Sequence, residues 1–439
     1  MARRRLPSEP FEVQIEGLDA HAAGLTEHDG RPLRVWDALP DERVRARYLF
    51  GRRFRGQGQT LEVLAASPDR VFPPCAFYGT CSACSLQHMA NDRQLDFKQA
   101  RLLALLNREG GLVPEHVLPP LQASRWQYRR KARLSVRWVP RKERVLVGFR
   151  ERDGRFVTDM DACQTLHPYV AEALPALSEL LHGLDARATI PQLEASCGDE
   201  SAALVVRHLE ALSEADEQRL ASFERTSGLR LYLQPKGPDT VQPLTPGPSR
   251  LNYRLDAEDL TYTFEPLDFV QVNAALNAAM VAQAMDLLQP QATDHVLDLF
   301  CGLGNFTLPL ARRSASVLGL EGSSTLVGRA QANAQANGLA NARFSAVDLY
   351  GALPPEAWPA QSVDLILLDP PRSGAGPLIA NMAATGARAI LYVSCNPETL
   401  ASDASALVRD HGYRLDAAGA MDMFPQTAHI EAMALFVRA

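Results

Sequence analysis

Three apolar runs in the last third of the chain each end at residues suited to chemistry. The runs are long enough for buried strands, and a helix-like stretch follows the first and the last of them. This βα alternation predicts an α/β fold with a parallel sheet, and ligands bind where the carboxyl ends of such strands meet. The residues at the three ends are Cys301-Gly302-Leu303-Gly304-Asn305, Asp369-Pro370-Pro371-Arg372 and Ser394-Cys395-Asn396-Pro397.

Length and composition leave room for two to four domains. The chain has 439 residues, of which 46% are hydrophobic and 22% charged, as in ordinary globular proteins. No uncharged stretch reaches the length of a membrane span, and no apolar signal core follows the arginines of residues 1–10. We therefore expect a cytoplasmic protein, most simply a monomer, that does not act at a membrane.

The pattern of strands and helices changes twice along the chain. Short alternating strands punctuated by glycine predict an OB-like β-barrel over residues 9–67. A central α+β domain follows over residues 68–265. The βα repeats of residues 266–439 predict a third, α/β domain, which holds the candidate catalytic residues. We expect the helical segment 91–120 of the central domain to pack on this third domain.

Positive charge is concentrated in two places although the net charge is −6. Residues 125–152 hold eleven Lys and Arg against two Glu, and Arg129, Lys131 and Arg133 are candidate phosphate contacts. The aromatic residues among them, Trp126, Tyr128 and Phe149, either stack on bases or pack in the core. The second cluster is Arg43, Arg45, Arg47, Arg52, Arg53 and Arg55.

Seven cysteines, an odd number at uneven spacing, make disulfides a poor interpretation. Cys75, Cys81 and Cys84 have the spacing C-x5-C-x2-C, and Cys163 follows much later in the chain. Four thiolates can hold either a tetrahedral zinc ion or a four-iron cluster. Because only one pair is closely spaced, the spacing favours the iron–sulfur cluster over zinc, and both over no metal.

The glycine loop after the first run is typical of S-adenosylmethionine (SAM) enzymes. Thr307 stands where a dinucleotide-binding loop has its third glycine, so a dinucleotide is not the favoured ligand. Glu321, at the end of the next strand, is suitably spaced to bind ribose hydroxyls. Asp348 follows another short apolar stretch and could contact the adenine amino group. Each acid alone could equally be a helix cap or a surface residue.

Cys395 lies in a polar turn, where a thiol is more accessible than in a core. A thiolate there suits covalent catalysis, and methylation of C5 of uracil requires a nucleophile that adds at C6. A base must then remove the C5 proton so that the thiol can leave. Glu431, in His429-Ile430-Glu431, is one candidate for that base, and Asp369 is another.

Together these motifs resemble the RNA uracil-5-methyltransferase family, along nearly the whole chain. The resemblance implies a class I SAM-dependent methyltransferase with an N-terminal TRAM barrel, of the iron–sulfur branch that methylates a uridine of 23S ribosomal RNA. It implies a [4Fe-4S] cluster on the four cysteines, Cys395 as nucleophile and Glu431 as base. The implied SAM contacts are Gln271, Phe300, Asn305, Glu321 and Asp369, and Asp348 stands where family members often carry Asn.

Three other functions remain open from the sequence. A tRNA uridine methyltransferase would use the same chemistry, although the barrel and the cysteines disfavour it. An RNA cytosine-5 methyltransferase would also use a thiol. A non-catalytic iron–sulfur RNA-binding protein would have no reason to carry the glycine loop, Glu321, Cys395 and Glu431 together.

Overall fold

The computed structural model describes residues 9–49, 55–249, 251–351, 358 and 362–439. Arg52 and Arg53 of the N-terminal basic cluster lie outside the described residues. No helix in the described part of the chain is long and apolar enough to cross a bilayer.

The N-terminal residues form a six-stranded sheet that curls on itself. Its strands are β1 (Phe11–Gln14), β2 (Gly17–Leu18), β3 (Gly24–His28), β4 (Arg31–Trp36), β5 (Arg43–Tyr48) and β6 (Gln57–Ala65). Their order is β1-β5-β6-β4-β3-β2, so the two edge strands are consecutive along the chain. The Glu16 N–H between them donates to the Leu25 carbonyl at 2.9 Å. On β5, Arg43, Arg45 and Arg47 are exposed while the alternate residues are buried, which confirms the predicted alternation.

A second six-stranded sheet occupies the middle of the chain. Its strands are β8 (Lys131–Val139), β9 (Arg144–Gly148), β10 (Gln192–Cys197), β11 (Ala202–Arg207), β12 (Leu229–Gln234) and β13 (Gln242–Pro243), and the nearby helices are α2 (Pro168–Ala171), α3 (Leu174–His182) and α4 (Glu214–Ser227). The order is β13-β12-β11-β10-β8-β9. Helices α3 and α4 pack on this sheet around a core that includes Leu177, Leu204 and Leu220. A hairpin, β14 (Asn252–Leu255) and β15 (Leu260–Thr263), leads out of this region.

The C-terminal part forms an eight-stranded sheet with helices on both faces. Its strands are β16 (His295–Leu299), β17 (Ser316–Glu321), β18 (Ala342–Ala346), β19 (Leu365–Leu368), β20 (Ala389–Ser394), β21 (Tyr413–Met421), β22 (Glu431–Arg438) and β7 (His116–Val117), and its helices are α5 (Ala274–Leu288), α6 (Thr307–Ala311), α7 (Ser324–Ala336), α8 (Ile379–Ala384) and α9 (Pro397–His411). A separate hydrophobic cluster covers each face, which is why strands such as β19 and β20 are buried along their whole length.

The order of this large sheet is β18-β17-β16-β19-β20-β22-β21-β7, with β16 to β20 parallel. From β16 the chain runs outward to β17 and β18, then crosses to β19 on the other side. Ligands of open α/β sheets bind at such a reversal, beyond the carboxyl ends of the strands. The fold therefore predicts a site beyond the ends of β16 and β19.

The helix α1 (Asn91–Gly110) packs on this C-terminal part rather than on the central sheet. It contacts α9 and β21, as expected for the segment 91–120. The helix is shorter than that segment, because Gly111 adopts a left-handed conformation at φ +64° and ends it. The following residues are extended, and β7 adds a short parallel strand to β21.

Candidate functional site

Three side chains lie side by side where the parallel strands end. Leu299 of β16 pairs with Leu320 of β17 and with Leu368 of β19. The next residue of each strand is therefore part of one row, formed by Glu321, Phe300 and Asp369. Phe300 has φ +61°, a conformation that a bulky residue rarely adopts and that is often found at functional sites.

The thiol and a carboxyl group continue this row across the antiparallel pair β20–β22. Ser394 pairs with Ala432, so Cys395 and Glu431 are the next two residues in register. The Cys395 Sγ lies 4.0 Å from the carbonyl oxygen of Pro370. We call Phe300, Glu321, Asp369, Cys395 and Glu431 the strand-end site.

Charge and burial together keep the Cys395 thiol protonated. Partial burial raises the pKa of Cys395 to about 11, and the negative charges of Glu431 and Asp369 add to the rise, while Arg372 opposes it. Burial also raises the pKa of Asp369 well above its usual range, with Glu431 and Asp298 contributing. A thiol in this state needs a base to take its proton as the sulfur attacks.

Three predicted SAM contacts are held in place by hydrogen bonds at the strand-end site. The Glu321 carboxylate accepts from the backbone N–H of Gly302 at 3.2 Å and from that of Ser323 at 2.9 Å. This fixes the acid against the glycine loop. The Gln271 side-chain amide donates to the Asp369 carboxyl group at 3.3 Å.

Two further predicted SAM contacts, Asn305 and Asp348, are placed differently. The side-chain amide of Asn305 exchanges hydrogen bonds with Asn277 at 2.9 Å in both directions, and accepts from the Tyr253 hydroxyl at 3.0 Å. The Asn305 side chain is thus bonded to α5 and β14. Asp348 is exposed just beyond β18, where its carboxylate accepts the Tyr350 N–H at 3.0 Å.

Sequence reasoning missed a buried acid beneath this site. Asp298 is almost fully buried in β16, and burial raises its pKa to about 7. One carboxyl oxygen accepts the Thr307 hydroxyl, whereas the other has no hydrogen-bond partner. The signal was present in the sequence, because an Asp interrupts an otherwise apolar run there.

A buried ion pair behind Glu431 was also missed. The Lys98 ammonium on α1 donates to Asp422 at 2.5 Å and to the Phe424 carbonyl at 3.1 Å, and both charged side chains are almost fully buried. Burial lowers the pKa of Lys98, while Asp422 and Glu431 oppose that shift. The signal was a lysine at helical spacing between Leu95 and Leu102, within the apolar stripe.

The four predicted metal ligands line a single cavity, which we call the cysteine cavity. Its lining is Cys75, Phe77, Tyr78, Cys81, Ala83, Cys84, Gln87, Met160, Cys163, Gln164 and Thr165. The Ala83 N–H lies 3.5 Å from the Cys81 Sγ, and the Thr165 hydroxyl lies 3.4 Å from the Cys163 Sγ. Burial raises the pKa of Cys84 to about 12, with Cys163 and Cys81 adding to the rise. No Asp, Glu or His belongs to this lining.

Two of the three candidate phosphate contacts in the basic segment 125–152 are less accessible than the sequence suggests. Arg129 is packed between aromatic rings, its guanidinium 5.7 Å from the Phe149 ring centre and 5.8 Å from those of Tyr128 and Phe424. Lys131 donates to the Pro266 carbonyl at 2.5 Å, so only Arg133 of the three candidates is exposed.

The stacking role fails for two of the three aromatic residues. Tyr128 is 4% exposed and Phe149 is 9% exposed, so neither can receive a base without rearrangement. They pack in the core, which was the alternative interpretation, and Trp126 remains partly exposed.

The cysteine cavity and the strand-end site are joined by hydrogen bonds between two loops. The backbone N–H groups of Ser85 and Leu86, which follow Cys84, both donate to the Gln426 carbonyl at 2.9 Å. The Ala428 N–H donates to the Ser85 hydroxyl at 3.0 Å. The second loop leads directly into Glu431.

Comparison with known proteins identifies relatives along the whole chain. The tRNA (Uracil-5-)-methyltransferase family pattern matches residues 249–439. A protein of Alkalilimnicola ehrlichii called 23S rRNA (uracil(1939)-C(5))-methyltransferase RlmD is 51% identical over 438 residues, which is 99% of this chain and 98% of that protein. The protein of the same name from Hahella chejuensis is 48% identical over 444 residues, covering 100% and 99%.

A solved structure shares the fold. The tRNA (uracil-54, C5)-methyltransferase of Pyrococcus abyssi, in complex with S-adenosyl-L-homocysteine, superimposes with a TM-score of 0.74 and 22% identity. The match covers 97% of this chain and 100% of that one. The class I methyltransferase fold expected from the sequence is confirmed.

Proposed function

The chain belongs to the RNA uracil-C5-methyltransferase family, and from this membership and the strand-end site we propose that it methylates C5 of a uridine in 23S ribosomal RNA with SAM as donor. The relatives' name points to uridine 1939 as the target. The observation that supports the chemistry most strongly is the register that makes Cys395 and Glu431 neighbours at the ends of β20 and β22.

SAM would lie over the ends of β16, β17 and β19. Glu321, held by two backbone N–H groups, is oriented to accept from the ribose hydroxyls. Phe300 offers an aromatic face, and Gln271 and Asp369 offer polar groups next to it. Asp348 would meet the adenine amino group from the exposed end of β18, and the backbone of the loop at Asn305 would line the pocket.

The reaction follows from the positions of Cys395 and Glu431. The Cys395 sulfur attacks C6 of uracil, which places electron density at C5, and C5 then takes the methyl group of SAM. Glu431 removes the C5 proton, the C5=C6 double bond forms again, and the sulfur leaves. SAM supplies only the activated methyl group.

We propose a [4Fe-4S] cluster in the cysteine cavity rather than a zinc ion. Zinc with four sulfurs at about 2.3 Å would hold them roughly 3.8 Å apart. Only one group of three or more His, Cys, Asp or Glu side chains in the described part of the chain has all its ligand atoms within 4.8 Å of one another. This group is Glu115, His116 and Asp416. No three of the four cysteine sulfurs that line the cavity meet this limit, which suits a group larger than a single ion. N–H and hydroxyl groups near the sulfurs would stabilise the thiolates.

The division into domains follows the three sheets. We propose a TRAM-like, OB-type barrel at residues 9–67 that binds RNA, a central iron–sulfur domain at 68–265 and a catalytic domain at 266–439. The exposed arginines of β5 support RNA binding by the barrel. Action on ribosomal RNA implies a cytoplasmic protein, and we propose that it works as a monomer.

Two measurements test this proposal. Mass-spectrometric mapping of C5-methyluridine in ribosomal and transfer RNA from a deletion strain should show loss at one 23S position only. Loss in tRNA instead would favour the second candidate, a tRNA methyltransferase, which the Pyrococcus abyssi likeness supports. Protein purified without oxygen should be brown and contain iron, whereas colourless protein containing zinc would refute the cluster.

A further inference from the structure

We propose that His429 is a positioning residue for Glu431 and carries away the proton that Glu431 takes from the Cys395 thiol. The inference rests on the proposed function, because it concerns protons moved during that reaction. His429 belongs to a motif quoted from the sequence, yet the reaction as described so far gives it no part.

The geometry joins His429 to Glu431 directly. The His429 Nε2 lies 3.2 Å from Glu431 Oε1, within hydrogen-bond distance. The side chain of His429 is 22% exposed, against 9% for Glu431. His429 thus lies between the buried carboxyl group and water.

Two contacts hold the imidazole in place. Its ring packs edge-on against Phe424, with ring centres 4.7 Å apart at 89°. Its backbone N–H donates to the Thr427 hydroxyl at 3.2 Å. A ring held in this way keeps Nε2 directed at Glu431, which a mobile surface histidine would not do.

The proton balance of the reaction creates the need for such a path. The resting thiol is protonated, and Glu431 is its neighbour in register, so Glu431 takes the thiol proton as the S–C6 bond forms. Glu431 must lose that proton before it can take a second one from C5. Without an exit, the methylated adduct would wait for a base that is already protonated.

The proposed transfer conserves every proton. The thiol proton passes from Glu431 Oε1 to the free Nε2 of His429, and His429 releases its Nδ1 proton to water. Proton exchange with water then moves the remaining proton from Nε2 to Nδ1, which restores the ring for the next turnover. Later the C5 proton passes to Glu431, the C–S bond breaks, and the thiolate takes that proton. One proton reaches water for each methyl group transferred from the cationic donor, as the overall reaction requires.

Other charged groups near Glu431 do not offer the same route. Asp369 shares the strand-end row, but burial and the charge of Glu431 raise its pKa well above the usual range, so it would not readily pass a proton on to water. Lys98 and Asp422 form a closed pair with almost no exposure to water. Arg372 cannot accept a proton. These groups and Cys395 determine the electrostatic environment of His429 and Glu431.

The test compares His429→Gln with the matched control His21→Gln, an exposed histidine in the loop between β2 and β3. Glutamine can keep a hydrogen bond to Glu431 but cannot carry a proton. In a single turnover with a 23S rRNA fragment, we expect His429→Gln to accumulate the methylated protein–RNA adduct. In steady-state measurements, we expect the substitution to lower kcat by about 10²-fold. The KM for RNA and the Kd for SAM should stay within about twofold of the wild-type values.

Chemical rescue separates proton transfer from a structural role. Added imidazole should shorten the life of the adduct in a His429→Ala variant, with an effect that rises with pH, and should not affect His21→Gln. An adduct lifetime at the wild-type value would overturn the proposal, as would weakened SAM binding without rescue. If Cys395→Ala kept full activity, the proposed function itself would fail, which is a different outcome.

Discussion

The molecule contains two sulfur sites whose surroundings differ. At the strand-end site a single thiol, Cys395, is partly exposed and faces the carboxyl groups of Glu431 and Asp369. In the cysteine cavity four thiols face one another, and the lining offers amide, hydroxyl and aromatic groups but no carboxylate or imidazole. Burial is the main cause of the raised pKa of Cys84 in the cavity and of Cys395 at the strand-end site.

Under the proposed function, a neighbouring proton acceptor distinguishes the nucleophilic thiol from the metal ligands. Cys395 has the Glu431 carboxyl group beside it, which could take the thiol proton during the reaction. The cavity thiols have no such base, and their deprotonation requires a bound positive charge, which iron would supply. The proposed function therefore assigns the same residue type to covalent chemistry in one place and to metal binding in the other.

Replacing Cys395 with Ala should have the largest effect on methyl transfer. We expect methyl transfer to fall by about 10⁵-fold or more, because no other group can add to C6. Calorimetry should find SAM binding unchanged, since Cys395 follows β20 and lies outside the ends of β16, β17 and β19, where SAM would bind. Residual turnover near the wild-type rate would rule out this nucleophile.

Replacing Glu431 with Gln tests the proposed base beside Cys395. We expect turnover to fall by about 10²- to 10⁴-fold and the covalent protein–RNA species to accumulate on a denaturing gel. Glu398→Gln, an exposed acid at the start of α9, is the control and should behave as wild type. Normal product release by Glu431→Gln would show that another base takes the C5 proton.

Replacing Cys163 with Ser tests the cavity, with Cys197→Ser as a matched buried control outside its lining. We expect bound iron to fall several-fold. Methyl transfer should fall by about 10- to 100-fold, because the loop after Cys84 is hydrogen-bonded to the loop that leads into Glu431. Full iron content in Cys163→Ser would remove this residue from the ligand set.

Replacing Lys98 with Met tests the buried charge behind the strand-end site. The change leaves Asp422 without its partner, so we expect the free energy of unfolding to fall by about 3–5 kcal/mol in urea denaturation. The double variant Lys98→Met/Asp422→Leu should recover most of that loss. As a control, Arg93→Met removes an exposed partner of Asp96 on the same helix and should leave the midpoint of urea unfolding close to the wild-type value. If Lys98→Met and Arg93→Met lowered the stability equally, the buried Asp422 would depend on its partner no more than an exposed acid does.

The pattern of the sequence was a better guide to the strand-end site than to the basic segment. When parallel strands are apolar along their length, the polar residues that follow them meet at one edge of the sheet, where the carboxyl ends of the strands lie. The apolar runs alone therefore predict that Glu321, Asp369 and Cys395 lie near one another. The register of β20 and β22 then explains why Glu431, 36 positions after Cys395 in the chain, lies beside it.

The basic segment could not be interpreted in the same way because strand alternation does not reveal what covers each face. Arg129 and Lys131 look like solvent-facing charges in the sequence. Long-range partners, the Phe424 ring and the Pro266 carbonyl, cover them in the fold. The Lys98–Asp422 pair was missed for the same reason, since its two residues lie 324 positions apart.

The central claim is that the Cys395 sulfur forms a bond to C6 of the target uracil. An RNA fragment carrying 5-fluorouridine at the target position would trap that bond, because a base cannot remove fluorine from C5 as it removes a proton. Peptide mass spectrometry of the trapped species should place the nucleotide on Cys395, with the SAM methyl group attached to it. A nucleotide on any other residue, or methylation without a covalent species, would contradict the account.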